Sequence, residues 1–222
     1  MKDQHHGHVF WFFGVLVALG VENATTPVVA HFLTPPREFW PYGLEALRLV
    51  VFLLVSVRFL LGAAIHFEEI RKETAPGSYG VDLVSAFFHF LLLFTWSLTV
   101  EANWPAASWI TPFLALMFCV IGYDLVWMIL CWGNTTPRAR GWAAVNGLTL
   151  MLSLLAFSIA KALGTTPHWE QIPAILIVGV ISLVDLGEIT SGKRYIIPWI
   201  VGWLRVDISS SATSEPSEEA DQ

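Results

Sequence analysis

The sequence predicts an all-α integral membrane protein, a bundle of six transmembrane helices with N- and C-termini cytoplasmic and a short C-terminal interfacial helix. Three observations predict it. Hydrophobic residues make up 55% of the chain and charged residues 14%, against about a quarter charged in ordinary soluble domains. Apolar windows of about 20 residues, the length that crosses a hydrocarbon core, recur six times. Basic residues then gather in alternate loops, as the bias of membrane proteins toward cytoplasmic Lys and Arg requires.

The first window, 9–31, follows a polar head at 1–8 that holds His5, His6 and His8. No small-x-small cleavage site follows its apolar core; Glu22 and Asn23 come instead, so a retained helix is expected rather than a signal peptide. The next windows are 43–66, 82–102, 109–132, 142–163 and 172–189. The joins "TPPREFWPYG", "TAPGSYG", "NWPAAS", "GNTTPRARG" and "GTTPHW" are short and rich in proline, glycine and small polar residues, which stop and restart helices. Residues 9–189 thus form one transmembrane domain. The segment 190–208 contains "YIIPWIVGWLRVDI", too short to span, and is expected to lie in the cytoplasmic interface. The serine- and glutamate-rich tail 209–222 has nothing to bury and is expected to be disordered.

Arg71, Lys72, Arg138, Arg140, Lys193, Arg194 and Lys2 all fall on one side of this topology, with only Arg37 and Lys161 opposite. That side is read as cytoplasmic, giving a multi-pass protein of the cell membrane. Trp40, Trp104, Trp109 and Trp169 mark one interface, and Trp11, Trp132 and Trp142 the other. The net charge of −6 comes largely from the acidic tail, so nucleic acid is not an expected partner. The two cysteines, Cys119 and Cys131, sit in one apolar run about 18 Å apart along a helix, out of disulfide reach. No Cys/His cluster, HExxH or GxSxG spacing is present, and no cofactor or catalytic residue is expected.

The direction of the helices gives each polar residue a depth. Counting about 1.5 Å per residue from the cytoplasmic ends, Arg58, His89 and Asp124 reach similar levels from three different spans. Asp185 falls closer to the surface, with Glu188 a turn beyond it. A second layer nearer the outside holds Glu22, Arg48, Glu101 and Lys161. An ionised side chain facing lipid at the centre of a span costs roughly 2.5–3.5 kcal/mol, so opposite charges are expected to face each other inside the bundle. Arg58 is matched with Asp124, with His89 beside them, and Glu22 with Arg48. Gly62, one turn from Arg58, is expected to admit a neighbouring backbone. Ala143, Asn146, Leu150, Ser153 and Phe157 form a stripe suited to helix packing.

These residues define an expected ion or proton pathway through Arg58, His89, Asp124, Asp185, Glu22 and Arg48, in a protein whose size suggests a homo-oligomer. The layout resembles six-span cation channels in general outline, without a TVGYG-like filter. The alternative is a non-catalytic membrane sensor, effector or assembly subunit in which the buried pairs only hold the helices together. A weaker alternative is a haem or quinone protein, against which His66 and His89 differ in level by about 10 Å.

Overall fold

A computed structural model describes residues 2–33, 39–72, 78–101, 109–130 and 137–191. The described residues are all-helical, with no strand: α1 (Lys2–Leu33), α2 (Phe39–Lys72), α3 (Ser78–Ser97), α4 (Pro112–Leu130), α5 (Pro137–Ala162), the single turn α6 (Pro167–Glu170) and α7 (Ile172–Ser191). The six long helices answer to the six expected windows. The tail 209–222 and most of the segment 190–208 lie outside the described residues.

Proline sets several of the helix starts. Pro112, Pro137 and Pro167 each occupy the first helical position, where a missing N–H costs nothing. At α4 the Thr111 hydroxyl accepts the Leu114 N–H at 3.4 Å, and its carbonyl accepts the Ala115 N–H at 3.0 Å. Pro27 lies inside α1 and removes one backbone donor. Just before it, the Thr25 and Thr26 hydroxyls donate to the carbonyls of Val21 and Glu22, each at 2.8 Å. After α5 the chain turns through Gly164, whose φ of +70° is a left-handed conformation that glycine adopts without strain.

Four segments are long and apolar enough to cross a membrane: Trp11–Leu33, Gly43–Glu68, Gly141–Ala162 and His168–Thr190. The other two apolar helices are shorter, Leu83–Ser97 and Pro112–Trp127. The third window was expected to continue to 102, but α3 stops at Ser97. Leu98 and Thr99 there donate their N–H groups to Thr95 and Trp96 carbonyls three residues back, closing a turn. The Thr99 hydroxyl also bonds the Trp96 carbonyl at 2.8 Å. The first window is extended instead, since α1 begins at Lys2 and takes in the polar head.

The long helices pack in a closed circuit, α1 against α2, then α7, α5, α4 and α3, which returns to α1. Contacts near the helix ends fix their directions. Phe13 of α1 stacks with Phe67 near the end of α2, and His31 at the end of α1 meets Glu45 at the start of α2. Helices α1, α3 and α5 therefore run one way and α2, α4 and α7 the other. The end holding the start of α1 is called the near end here, and the opposite one the far end.

Phe13, Phe52, Phe90, Trp96, Phe113, Leu114, Met117 and Ile121 are almost wholly buried within the circuit. The outer surface is apolar as well. Val57, Val84, Val126, Leu155, Val180 and Leu183, from five helices, are all exposed. A monomeric soluble protein rarely shows apolar surface on so many sides, whereas a lipid-embedded one does.

Candidate functional site

Arg58 shares one face of α2 with Val51, Val55 and Gly62, at helical spacing, and is fully buried. Its Nε donates to the Asp185 carboxylate on α7. Its Nη2 donates to Asn146 Oδ1 on α5 at 2.7 Å. The Asn146 amide nitrogen in turn donates to the Asp124 carboxylate on α4. The other Asp124 oxygen lies 3.8 Å from His89 Nδ1 on α3. The Phe59 ring, next to Arg58, sits 4.3 Å from the His89 ring and closes the circle back to α2. Five of the six long helices thus contribute to one polar cluster, in the order in which they pack.

The guanidinium also rests against two neighbouring aromatic rings. Its carbon lies 5.4 Å from the Phe59 ring centre and 5.6 Å from that of Trp142, within cation–π range. Trp142 reaches this position only because residue 62 is glycine, since a Cβ there would stand 1.0 Å from the indole Cη2. Side-chain exposure is 1% for Arg58, 9% for Asp185 and 8% for His89, but 22% for Asp124, the most open of these four. His89 Nε2 is buried and has no hydrogen-bond partner among the described residues. Beside it, Tyr123 presents its ring edge to His89 at 5.7 Å and donates its hydroxyl to the Ser85 carbonyl at 3.3 Å. Glu188 is buried one turn beyond Asp185.

A second layer lies about 15 Å toward the far end, ten residues back along α2. Arg48 donates from Nη2 and Nε to Gln171 Oε1 at 2.7 and 3.2 Å, and from Nη1 to the Glu101 carbonyl at 2.9 Å. The Thr111 hydroxyl reaches the same Gln171 oxygen at 3.4 Å. One guanidinium therefore ties the starts of α2 and α7 to the exit from α3, and Gln171 ties in the entry to α4. Alongside, His31 Nδ1 lies 2.9 Å from Glu45 and its Nε2 is 3.8 Å from Glu101. Lys161 donates to the Trp109 carbonyl at 2.6 Å and faces Glu170 at 3.9 Å. Between the layers is an apolar plug in which Trp96 packs against Phe52 at 5.3 Å and Phe113 at 5.2 Å, with Leu114, Met117 and Ile121 also buried.

The structure brings Arg58, His89, Asp124 and Asp185 together and corrects their pairing. Arg58 contacts Asp185 directly and reaches Asp124 only through Asn146. Depth counting placed Asp185 too near the surface because it treated the helix ends as flush. Helix α2 runs on to Lys72, well past the expected 66, so equal counts from the ends are not equal heights. The match of Glu22 with Arg48 also fails. Helix α1 turns Phe13, Gly20, Ala24 and Val28 inward, and Glu22 falls off that stripe, exposed on the outer side. Gly62 admits the Trp142 indole rather than a backbone. Asn146 was visible as part of a packing stripe, but not as the link between two charges. Gln171 carried no signal except being an amide at the start of an apolar run. Comparison with known protein families, characterised proteins and solved structures finds no match to this chain.

Proposed function

We propose that this is a six-span membrane protein, with both termini cytoplasmic, that moves small cations, protons included, by way of the Arg58–Asp185–Asn146–Asp124–His89 cluster. The observation that carries the reading is the convergence of five helices on a buried cluster with two carboxylates and one guanidinium. Ionisable residues held inside a membrane bundle are costly, and an excess of one sign suits a site that takes up the other. The plug around Phe52, Trp96 and Phe113 separates the cluster from the far-end layer. A path would therefore open by helix movement, as in a carrier or a gated pore, and not through a standing channel.

Reconstitution in liposomes tests this directly. Wild type is expected to carry proton or alkali-cation flux, and Asp124→Asn to lower it by about a hundredfold, the scale set by loss of a positioned proton-handling group. Wild-type flux no greater than that of empty liposomes would end the reading.

The orientation rests on the loops containing Arg71, Lys72, Arg138 and Arg140. Leu163 lies at the far end and Thr190 at the near end, both exposed. A cysteine replacing Leu163 is expected to react with an impermeant reagent added outside intact cells, and one replacing Thr190 to be protected. The opposite pattern would invert the topology.

A homo-oligomer is part of the proposal. Glu22 stands midway along Trp11–Leu33 on the outward side of α1, where lipid contact would cost an ionised group roughly 2.5–3.5 kcal/mol and a second copy would shield it. A particle of one 24.7 kDa chain in mild detergent would remove this part. The second reading, a membrane sensor or assembly subunit, draws support from the Arg48 layer, which clamps helix ends together. It predicts a folded, oligomeric wild type with no flux.

A further inference from the structure

We propose that the cluster binds one exchangeable proton and that Asp124, with His89 beside it, is the group that carries it. This rests on the transport reading above and names its ion. Arg58 supplies one positive charge against the carboxylates of Asp185 and Asp124, so one further proton brings these three groups to neutrality. The two acids are not equivalent. Asp185 is bonded directly to the guanidinium, and both partners are buried, so its negative charge is compensated in place.

Asp124 receives only the neutral Asn146 amide, and His89 stands at 3.8 Å, beyond hydrogen-bond range. The groups that meet Asp124 are His89 from α3 and Asn146 from α5, and Tyr123, bonded to Ser85, lies against the His89 ring. Arg58 lies behind Asn146, with Asp185 and then Glu188 on α7 beyond it. Among these, no fixed cation touches the Asp124 carboxylate. A carboxylate so placed relieves its buried charge most simply by taking a proton.

Access points the same way. Asp124 keeps the largest exposed fraction of the four ionisable side chains in the cluster, the other three being nearly enclosed. The apolar plug closes the far side, and Ser85 lies one turn closer to the near end than His89. A proton from water at the near end forms an O–H bond on an Asp124 carboxylate oxygen, and release returns it to water. The Arg58–Asp185 pair stays intact in both states. His89, whose Nδ1 lies 3.8 Å from the Asp124 carboxylate, is the neighbouring base to which that proton can pass after a small movement.

Infrared difference spectroscopy on purified protein in lipid nanodiscs, titrated from alkaline to mildly acidic pH, reads the proton on the acid itself. The expected result is a protonated-carboxyl C=O band that shifts in heavy water, survives Glu22→Gln and disappears in Asp124→Asn. In His89→Gln the band is expected to remain with a displaced titration midpoint, a check on a second folded variant. A band that persists in Asp124→Asn, or that vanishes in Glu22→Gln, would overturn the assignment. So would wild type showing no protonated-carboxyl band anywhere in the titration. Alkali-cation flux without the band would sink the proton assignment and leave transport standing, whereas the band without any flux would do the reverse.

Discussion

Asp185→Ala is expected to lower folding stability by about 3–5 kcal/mol, measured by thermal or denaturant unfolding in mild detergent. The side chain is the direct ion-pair partner of Arg58, which is fully buried against the Phe59 and Trp142 rings. Without it the guanidinium keeps the Asn146 carbonyl oxygen but loses the carboxylate bonded to Nε. The large effect comes from stranding a charge, since an intact buried pair is worth little net. Asp185→Asn keeps an acceptor oxygen for Nε but not the compensating charge, so it is expected to recover only part of this loss. A loss within about 0.5 kcal/mol for the alanine variant, typical of a neutral surface substitution, would show that Arg58 does not depend on this partner.

Gly62→Ala is expected to be nearly as damaging for a steric reason. The added methyl would lie 1.0 Å from Trp142 Cη2 and 1.6 Å from Cζ3, so the indole must leave its place. The ring is stacked near Phe59 at 5.9 Å and covers Arg58, so displacing it uncovers one face of the buried cation. Overpacking of this kind costs about 1–3 kcal/mol and occasionally more, and the upper end is expected here. The double variant Gly62→Ala with Trp142→Leu should recover part of the loss, because the smaller side chain can clear the methyl. A single variant that melts with wild type would mean that Trp142 does not rest on α2.

Both expectations involve residues visible in the sequence whose partners were not. Apolar windows gave the six helices because hydropathy follows chain composition. They overran the end of α3, because Leu98, Val100 and Ala102 continue the apolar residues while the backbone turns at Leu98 and Thr99. Depth along the helix groups Arg58, His89 and Asp124, which the structure places in one cluster with Asp185 and Asn146. It could not give rotation about the helix axis, and Glu22 shows the consequence, since it stands on the outer face of α1, nine residues before the His31 that reaches the Arg48 layer. The inward stripe of Phe13, Gly20, Ala24 and Val28 was the available signal for that face. Trp142 was read as part of an interfacial belt because tryptophan favours that level. Its packing over Gly62 is a tertiary fact that no local pattern carries. Asn146 illustrates a different limit on pattern reading, because an uncharged residue joins the two charged halves of the cluster.

The central claim is that Arg58 and Asp185 form the fixed core of this cluster, and a double-mutant cycle tests it most directly. Arg58→Met, Asp185→Leu and the double variant would be unfolded in the same detergent. The double variant is predicted to be more stable than either single one, with a coupling energy of about 2 kcal/mol, because removing both charges together strands neither. Single losses that add to within about 0.5 kcal/mol would contradict the pairing.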